Sequence, residues 1–326
     1  MKTDLDGTEI PLDLHGGLHR RISRLRHITG FATTYGAECD PRAAVFARLW
    51  HVQRVASVTA LLAKDSYGVD PDRAGRLAWI HDLNRWPFAH NSERGNFDQA
   101  ANVSAYFKGL DVASRDIVDL ERLHRKDPHG LTPEGEVVLL ADALTGIVED
   151  LLMAVTGLNV HPRLVPPPVD AVLGFSLQAE PWSRECRALA EHFHRSPDPD
   201  VQAFQYGFNG LFHQLVDRFL ARHEPRRTEH GHTAVYDVAR TVKETFTRPT
   251  IFPINNERVC RSTWLREQVL PWYLRTLGGS RDGLLDLDEP QFVALVTAPG
   301  SPFTPSQFRP DIDVVRRQLP HLAFVT

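Results

Sequence analysis

The stretch HDLNRWPFAHNSE, residues 81–93, sets two histidines, two carboxylates and an arginine around an apolar Trp86-Pro87-Phe88. Titratable groups beside residues that belong inside mark either a polar turn touching the core or the floor of a site. The chain leading into the stretch is patterned as helix. Asp70-Pro71 is a start signal, an N-cap followed by proline in the first helical position. After it Ala74, Leu77, Ala78 and Ile80 recur at helical spacing, and Pro87 stops or bends the chain soon after His81-Asp82.

The same reading extends outward. Asp40-Pro41 starts a helix over roughly 41–64, with Val45, Leu49, Val52, Ala56 and Ala60 on one side. Thr132-Pro133 starts another, with Val137, Leu140, Ala141, Leu144 and Val148. The triple proline in NVHPRLVPPPVDAVLG, 159–174, resembles a spacer. Beyond it, 183–222 and 234–247 are helical, and LREQVLPWYLRTL, 265–277, is helical with a kink expected at its internal proline. No alternating, turn-punctuated strand pattern dominates. The expectation is an all-α chain: a lead segment 1–19, a core 20–158, a Pro-rich linker 159–174 and a mostly helical C-terminal region 175–326.

Composition narrows the classes. The chain has 326 residues, 42% apolar and 24% charged, which are ordinary globular values. A formal charge of −4 argues against a surface coated for nucleic acid. No run approaches the ~18 apolar residues of a membrane span, and MKTDLDGTEIPLDLHGG has no apolar signal-peptide core. Cys39, Cys186 and Cys260 are far apart and form no C-x-x-C, which fits reduced thiols of a cytoplasmic protein. Sixteen histidines are the unusual total and direct attention to metal or phosphate chemistry.

Four residues carry that chemistry by position. His51 lies in the middle of the first helix, His81-Asp82 at the end of the second, and Asp142 in the middle of the third, flanked by Leu139, Leu140, Ala141 and Ala143. A bare carboxylate there is costly to bury, and a divalent metal removes the cost. Two imidazoles and two carboxylates suit Mn, Mg, Fe, Co, Ni or Zn without selecting among them. Adjacent helical residues point ~100° apart, so His81 and Asp82 share one metal only near a helix end.

At this point the chain resembles the HD-domain superfamily of metal-dependent phosphohydrolases, and within it the deoxynucleotide triphosphohydrolase (dGTPase-like) branch. Its H…HD…D pattern falls on His51, His81-Asp82 and Asp142. RISRLRHITGF (21–31), RLWHVQRVA (48–56) and PFAHNSE (87–93) resemble flanking family segments, over roughly residues 20–155. The resemblance implies a metal held by His51, His81, Asp82 and Asp142, with His90 and Glu93 orienting water and moving protons. It implies phosphate contacts from Arg48, and the cationic stretch RLHRKDPHG (122–130) adds His124 and Lys126. It also implies a small phosphorylated substrate, a nucleotide such as a deoxynucleoside triphosphate cleaved to nucleoside and triphosphate, and a homo-oligomer. Two departures stand in the signature: Asn84 where glycine is usual, and Arg85 where an extra histidine often sits. Arg85 adds a fixed positive charge, expected to contact substrate phosphate, on which substrate choice is expected to depend. Stepwise phosphate removal from a modified nucleoside phosphate, or a nucleotide-binding regulator with a silent site, are the alternatives. His192-x-His194 and His230-Gly-His232 are weaker metal candidates.

Overall fold

The structure is a computed structural model and describes residues 17–30, 41–64, 66, 68–196, 198–223 and 233–326. Cys39, the Asp40 start signal, His230, His232 and all but the end of the lead segment lie outside the described residues.

The fold is all-α. Its helices are α1 (Gly17–Arg24), α2 (Arg48–Lys64), α3 (Pro71–Ile80), α4 (His90–Glu93), α5 (Val103–Tyr106), α6 (Ser114–Arg125) and α7 (Pro133–Thr156). There follow α8 (Pro167–Leu173), α9 (Trp182–Arg195), α10 (Val201–His223), α11 (Thr233–Val242), α12 (Ser262–Trp264), α13 (Leu270–Thr276), α14 (Glu289–Val296) and α15 (Val314–Gln318). Among the described residues the sole β feature is an isolated antiparallel bridge between Val160 and Ala323. No described helix is long and apolar enough to cross a membrane.

The start signals act as anticipated. The Asp70 carboxylate accepts from the backbone N–H groups of Asp72 and Arg73, and the Thr132 hydroxyl accepts from Gly135 N–H. Both satisfy donors that a helix start leaves orphaned. The helix expected over 41–64 is divided: Pro41–Phe46 is a tighter 3₁₀ turn, and α2 begins at Arg48. The Arg48 N–H is taken by the Ile28 carbonyl at 2.7 Å, so it cannot continue the i→i−4 ladder from Ala44.

Residues 159–174 form a 3₁₀ turn at Pro162–Leu164 and then α8. Pro167 and Pro168 occupy the first turn of α8, where a missing N–H costs nothing. Val165, Val169 and Leu173 are buried, so this stretch is packed and helical where the sequence suggested a spacer. Around Pro249 and Pro253 the chain widens into π-helical turns, Lys243–Ile251 and Pro253–Val259. A third, Leu265–Val269, sits where a kink is expected before Pro271. Proline removes an i→i−4 bond, and the wider turn accommodates its ring.

The centre of the molecule is α7. Helices α2 and α3 pack on it, as do α9, α10 and α11. Its Leu139, Leu140, Leu144, Leu151 and Leu152 are at most 1% exposed. Each such leucine contributes about 1.5–3 kcal/mol, which offsets carrying Asp142 on the same helix. One continuous apolar cluster runs from Leu18 to Val325, so C-terminal elements share the core that holds the site. The Arg24 guanidinium joins the two regions directly, donating to the carbonyls of Arg85 (2.7 Å) and Leu287 (2.5 Å).

Candidate metal centre

Helix α2 presents His51, the end of α3 presents His81 as its C-cap, and α7 presents Asp142. One ligand atom from each lies within 4.8 Å of the others. His51 Nε2 is 3.2 Å from Asp142 Oδ1, and His81 Nε2 is 3.9 Å from the same oxygen. Each imidazole is fixed from behind. His51 Nδ1 faces Glu149 Oε2 at 2.8 Å, and His81 Nδ1 bonds the Ala78 carbonyl at 2.7 Å. A carbonyl only accepts, so His81 carries its proton on Nδ1 and turns the Nε2 lone pair inward. That buried Nε2 finds no hydrogen-bond partner among the described residues.

An orphaned imidazole nitrogen aimed at a second histidine and a carboxylate is what a divalent cation satisfies. The residues therefore fit a metal. Burial holds His81 below the ordinary histidine range, in its ligating form. Burial and Arg48 pull His51 down too, but Glu149 and Asp142 outweigh them and the net shift is upward. Burial pushes Asp142 up, yet Lys126 and His51 bring it well below the usual carboxylate range.

Asp82 stands apart from this group. Arg48 Nε donates to Oδ2 at 2.9 Å, and Arg85 donates to Oδ1 through Nε at 2.7 Å. Placed with the ligands on sequence grounds, its carboxylate is instead buried between two guanidinium groups. Arg48 and Arg85, expected on phosphate, are accordingly committed to Asp82. Arg85 also reaches Glu93 Oε2 at 2.8 Å and His90 Nδ1 at 3.1 Å. Glu93 is buried, its other oxygen accepting Trp86 N–H at 2.9 Å, whereas the His90 side chain is 69% exposed. The turn between these parts holds Phe88 at φ 67° and Ala89 at φ 43°, the left-handed region that favours glycine. Within PFAHNSE, Ala89 therefore takes a conformation that glycine would adopt more readily.

Of the cationic stretch 122–130, Lys126 reaches the centre. It caps α6 in a left-handed conformation and its ammonium contacts Asp142 Oδ2. His124 lies near enough to feel Arg85, Asp82 and His81, and burial with Arg85 pushes it down to about 3. Lys126 competes with a metal for one carboxylate. An exposed ion pair is worth about 0–1 kcal/mol, so Lys126→Met is expected to tighten Mn²⁺ binding up to about fivefold by titration calorimetry. Equal or weaker binding removes the competition.

Three contributors went unnoticed in the sequence. Glu149 lies seven residues after Asp142, two helical turns along the same face of α7, a spacing that would have found it. Arg54 holds Glu149 Oε1 at 3.0 Å and Asn209 Oδ1 of α10 at 2.8 Å, chaining α10 to His51. Glu289 of α14 is fully buried and accepts the N–H groups of Thr29 (2.5 Å), Gly30 (3.2 Å) and Phe88 (3.1 Å). No local pattern announces a contact across some 200 residues. His192 and His194 bond the backbone carbonyls of Asp200 and Thr156, so neither joins the centre.

No family model matches the chain. It is similar to the ribonuclease Y of Fervidobacterium nodosum and the ribonuclease Y of Thermosipho melanesiensis, each 28% identical over 130 residues. The match takes in 40% of this chain and 22% of each relative, so the chain spans about a fifth of the length of the curated relatives it matches. The likeness is compatible with the HD-domain resemblance carried by His51, His81-Asp82 and Asp142. It does not reach the deoxynucleotide triphosphohydrolase branch.

Proposed function

We propose that the chain is a metal-dependent phosphohydrolase acting on a nucleotide, with a deoxynucleoside triphosphate as first substrate and nucleoside plus triphosphate as products. The observation carrying this reading is the orphaned His81 Nε2 facing His51 Nε2 and Asp142. His51, His81 and Asp142 would hold the ion, while Glu149 and the Ala78 carbonyl fix the two rings. A divalent ion would supply Lewis acidity toward a phosphoryl oxygen and acidify water.

Charge balance supports a polyanionic substrate. Asp82, Glu93, Asp142 and Glu149 face Arg48, Arg54, Arg85 and Lys126, four anions against four cations. A divalent ion leaves the loaded site with a surplus of positive charge, which a polyphosphate neutralises. Lys126, exposed on its left-handed cap, is the cation placed to turn from Asp142 to phosphate.

The second reading is a ribonucleic phosphodiester, favoured by the names of the two ribonucleases. Metal-stripped protein reconstituted with Mn, Mg, Fe, Co, Ni or Zn separates the two. It is offered deoxynucleotides, ribonucleotides and a short oligoribonucleotide, and phosphorus NMR identifies the products. Triphosphate from a deoxynucleotide, only with metal, is expected. Cleavage of the oligoribonucleotide alone moves the assignment to the second reading, and no product under any condition refutes both.

A further inference from the structure

Arg85, the departure in the signature stretch, touches three groups at once: Asp82, Glu93 and His90. The His90 contact has only one chemical sense. A guanidinium donates and never accepts, so at 3.1 Å from Arg85 NH1 the His90 Nδ1 must be the acceptor. Neutral His90 then carries its proton on Nε2. The competing arrangement, Nδ1–H donating to Glu93 Oε2, spans 3.6 Å, too long for a hydrogen bond. Glu93 Oε2 is already taken by Arg85 at 2.8 Å, and its Oε1 by Trp86 N–H at 2.9 Å.

Glu93 is thus a buried anchor for Arg85 rather than a group facing water. The exposed end of the pair is His90, whose Nδ1 is taken by Arg85 and whose other ring nitrogen, Nε2, then bears the hydrogen. Arg85, then Arg48 and Lys126, set positive charge around that ring, with Asp82 partly opposing them. A proton acceptor would need a lone pair where His90 has an N–H.

We propose that Arg85 is a positioning residue that fixes His90 in the Nε2–H tautomer. His90 then meets the substrate as a hydrogen-bond donor to a phosphoryl or leaving-group oxygen, and not as the base that activates water. The role toward substrate rests on the phosphohydrolase reading; the tautomer does not. Arginine in place of a second histidine therefore changes what the neighbouring histidine does.

Nitrogen-15 spectra of the full chain with labelled histidines test this, His90 being assigned by its loss in His90→Gln. At pH 7 the wild type is expected to show a single Nε2–H tautomer for His90. Arg85→Met is expected to lose that signature, giving mixed tautomers and a half-protonated ring near pH 6.5, the unperturbed histidine value. Arg85→Lys, which keeps a cationic donor, is expected to restore the Nε2–H form at least in part. An Nδ1–H or imidazolium His90 in the wild type overturns the proposal, as does an unchanged signature in Arg85→Met. Should Arg85→Met fail to fold, the wild-type and Arg85→Lys spectra still decide it. Lack of hydrolysis by the wild type would refute the phosphohydrolase reading while leaving the tautomer to be settled by the spectra.

Discussion

Asp142→Asn is expected to strip the protein of its metal and to lower kcat/KM by about a thousandfold or more, ~4 kcal/mol of transition-state stabilisation. Asp142 is the one carboxylate in the His51–His81–Asp142 group. The two histidine side chains beside it are 6–7% exposed, so its removal leaves two buried imidazoles and no anionic ligand within the group to balance a divalent charge. Metal analysis after desalting and steady-state rates measure the two effects, with circular dichroism confirming the fold. Asp82→Asn is the informative contrast. Its oxygens serve Arg48 and Arg85, so metal retention is expected to survive that substitution. Equal metal loss in both variants would show Asp82 to be a ligand after all.

The second large effect lies away from the centre. The Arg73 side chain of α3 is 3% exposed and bonds Asp116 (2.8 Å), Asp119 (2.6 Å), Glu134 and Thr132 (2.7 Å). It is the cation that three buried carboxylates share, tying α3, α6 and the start of α7. Arg73→Met leaves those carboxylates uncompensated, and breaking a buried pair in this way costs about 3–5 kcal/mol. Against a total of roughly 5–15 kcal/mol that is severe. Calorimetry should find a melting temperature lower by about 5–15 °C. A loss below 1 kcal/mol at pH 7 contradicts the account.

What the sequence disclosed follows the range of the interactions involved. Asp70-Pro71 and Thr132-Pro133 are local signals, satisfied within three residues, and both helices begin where they indicate. His51, His81 and Asp142 were legible because polar groups interrupt apolar helix faces, and those three come together. Asp82, expected among the ligands, is held by Arg48 and by Arg85, a residue the related pattern lacks, and no local signal announced those two contacts. The Pro-rich stretch was misjudged because proline breaks a helix interior but starts a helix well, and position alone distinguishes the two. Glu149 was within reach of a periodicity argument. Arg54 and Glu289 were not, since their partners are set by tertiary packing.

The carboxylate of Glu289, closing on Thr29, Gly30 and Phe88, has a consequence for biosynthesis. On the ribosome, His51, His81 and Asp142 are all made well before Glu289. The backbone around Phe88 and Ala89, held with positive φ, waits for an acceptor roughly 200 residues further on. A nascent chain stalled short of α14 would therefore hold the three candidate ligands while the loop bearing His90 lacks its buried acceptor, so that loop is set only once α14 has been made.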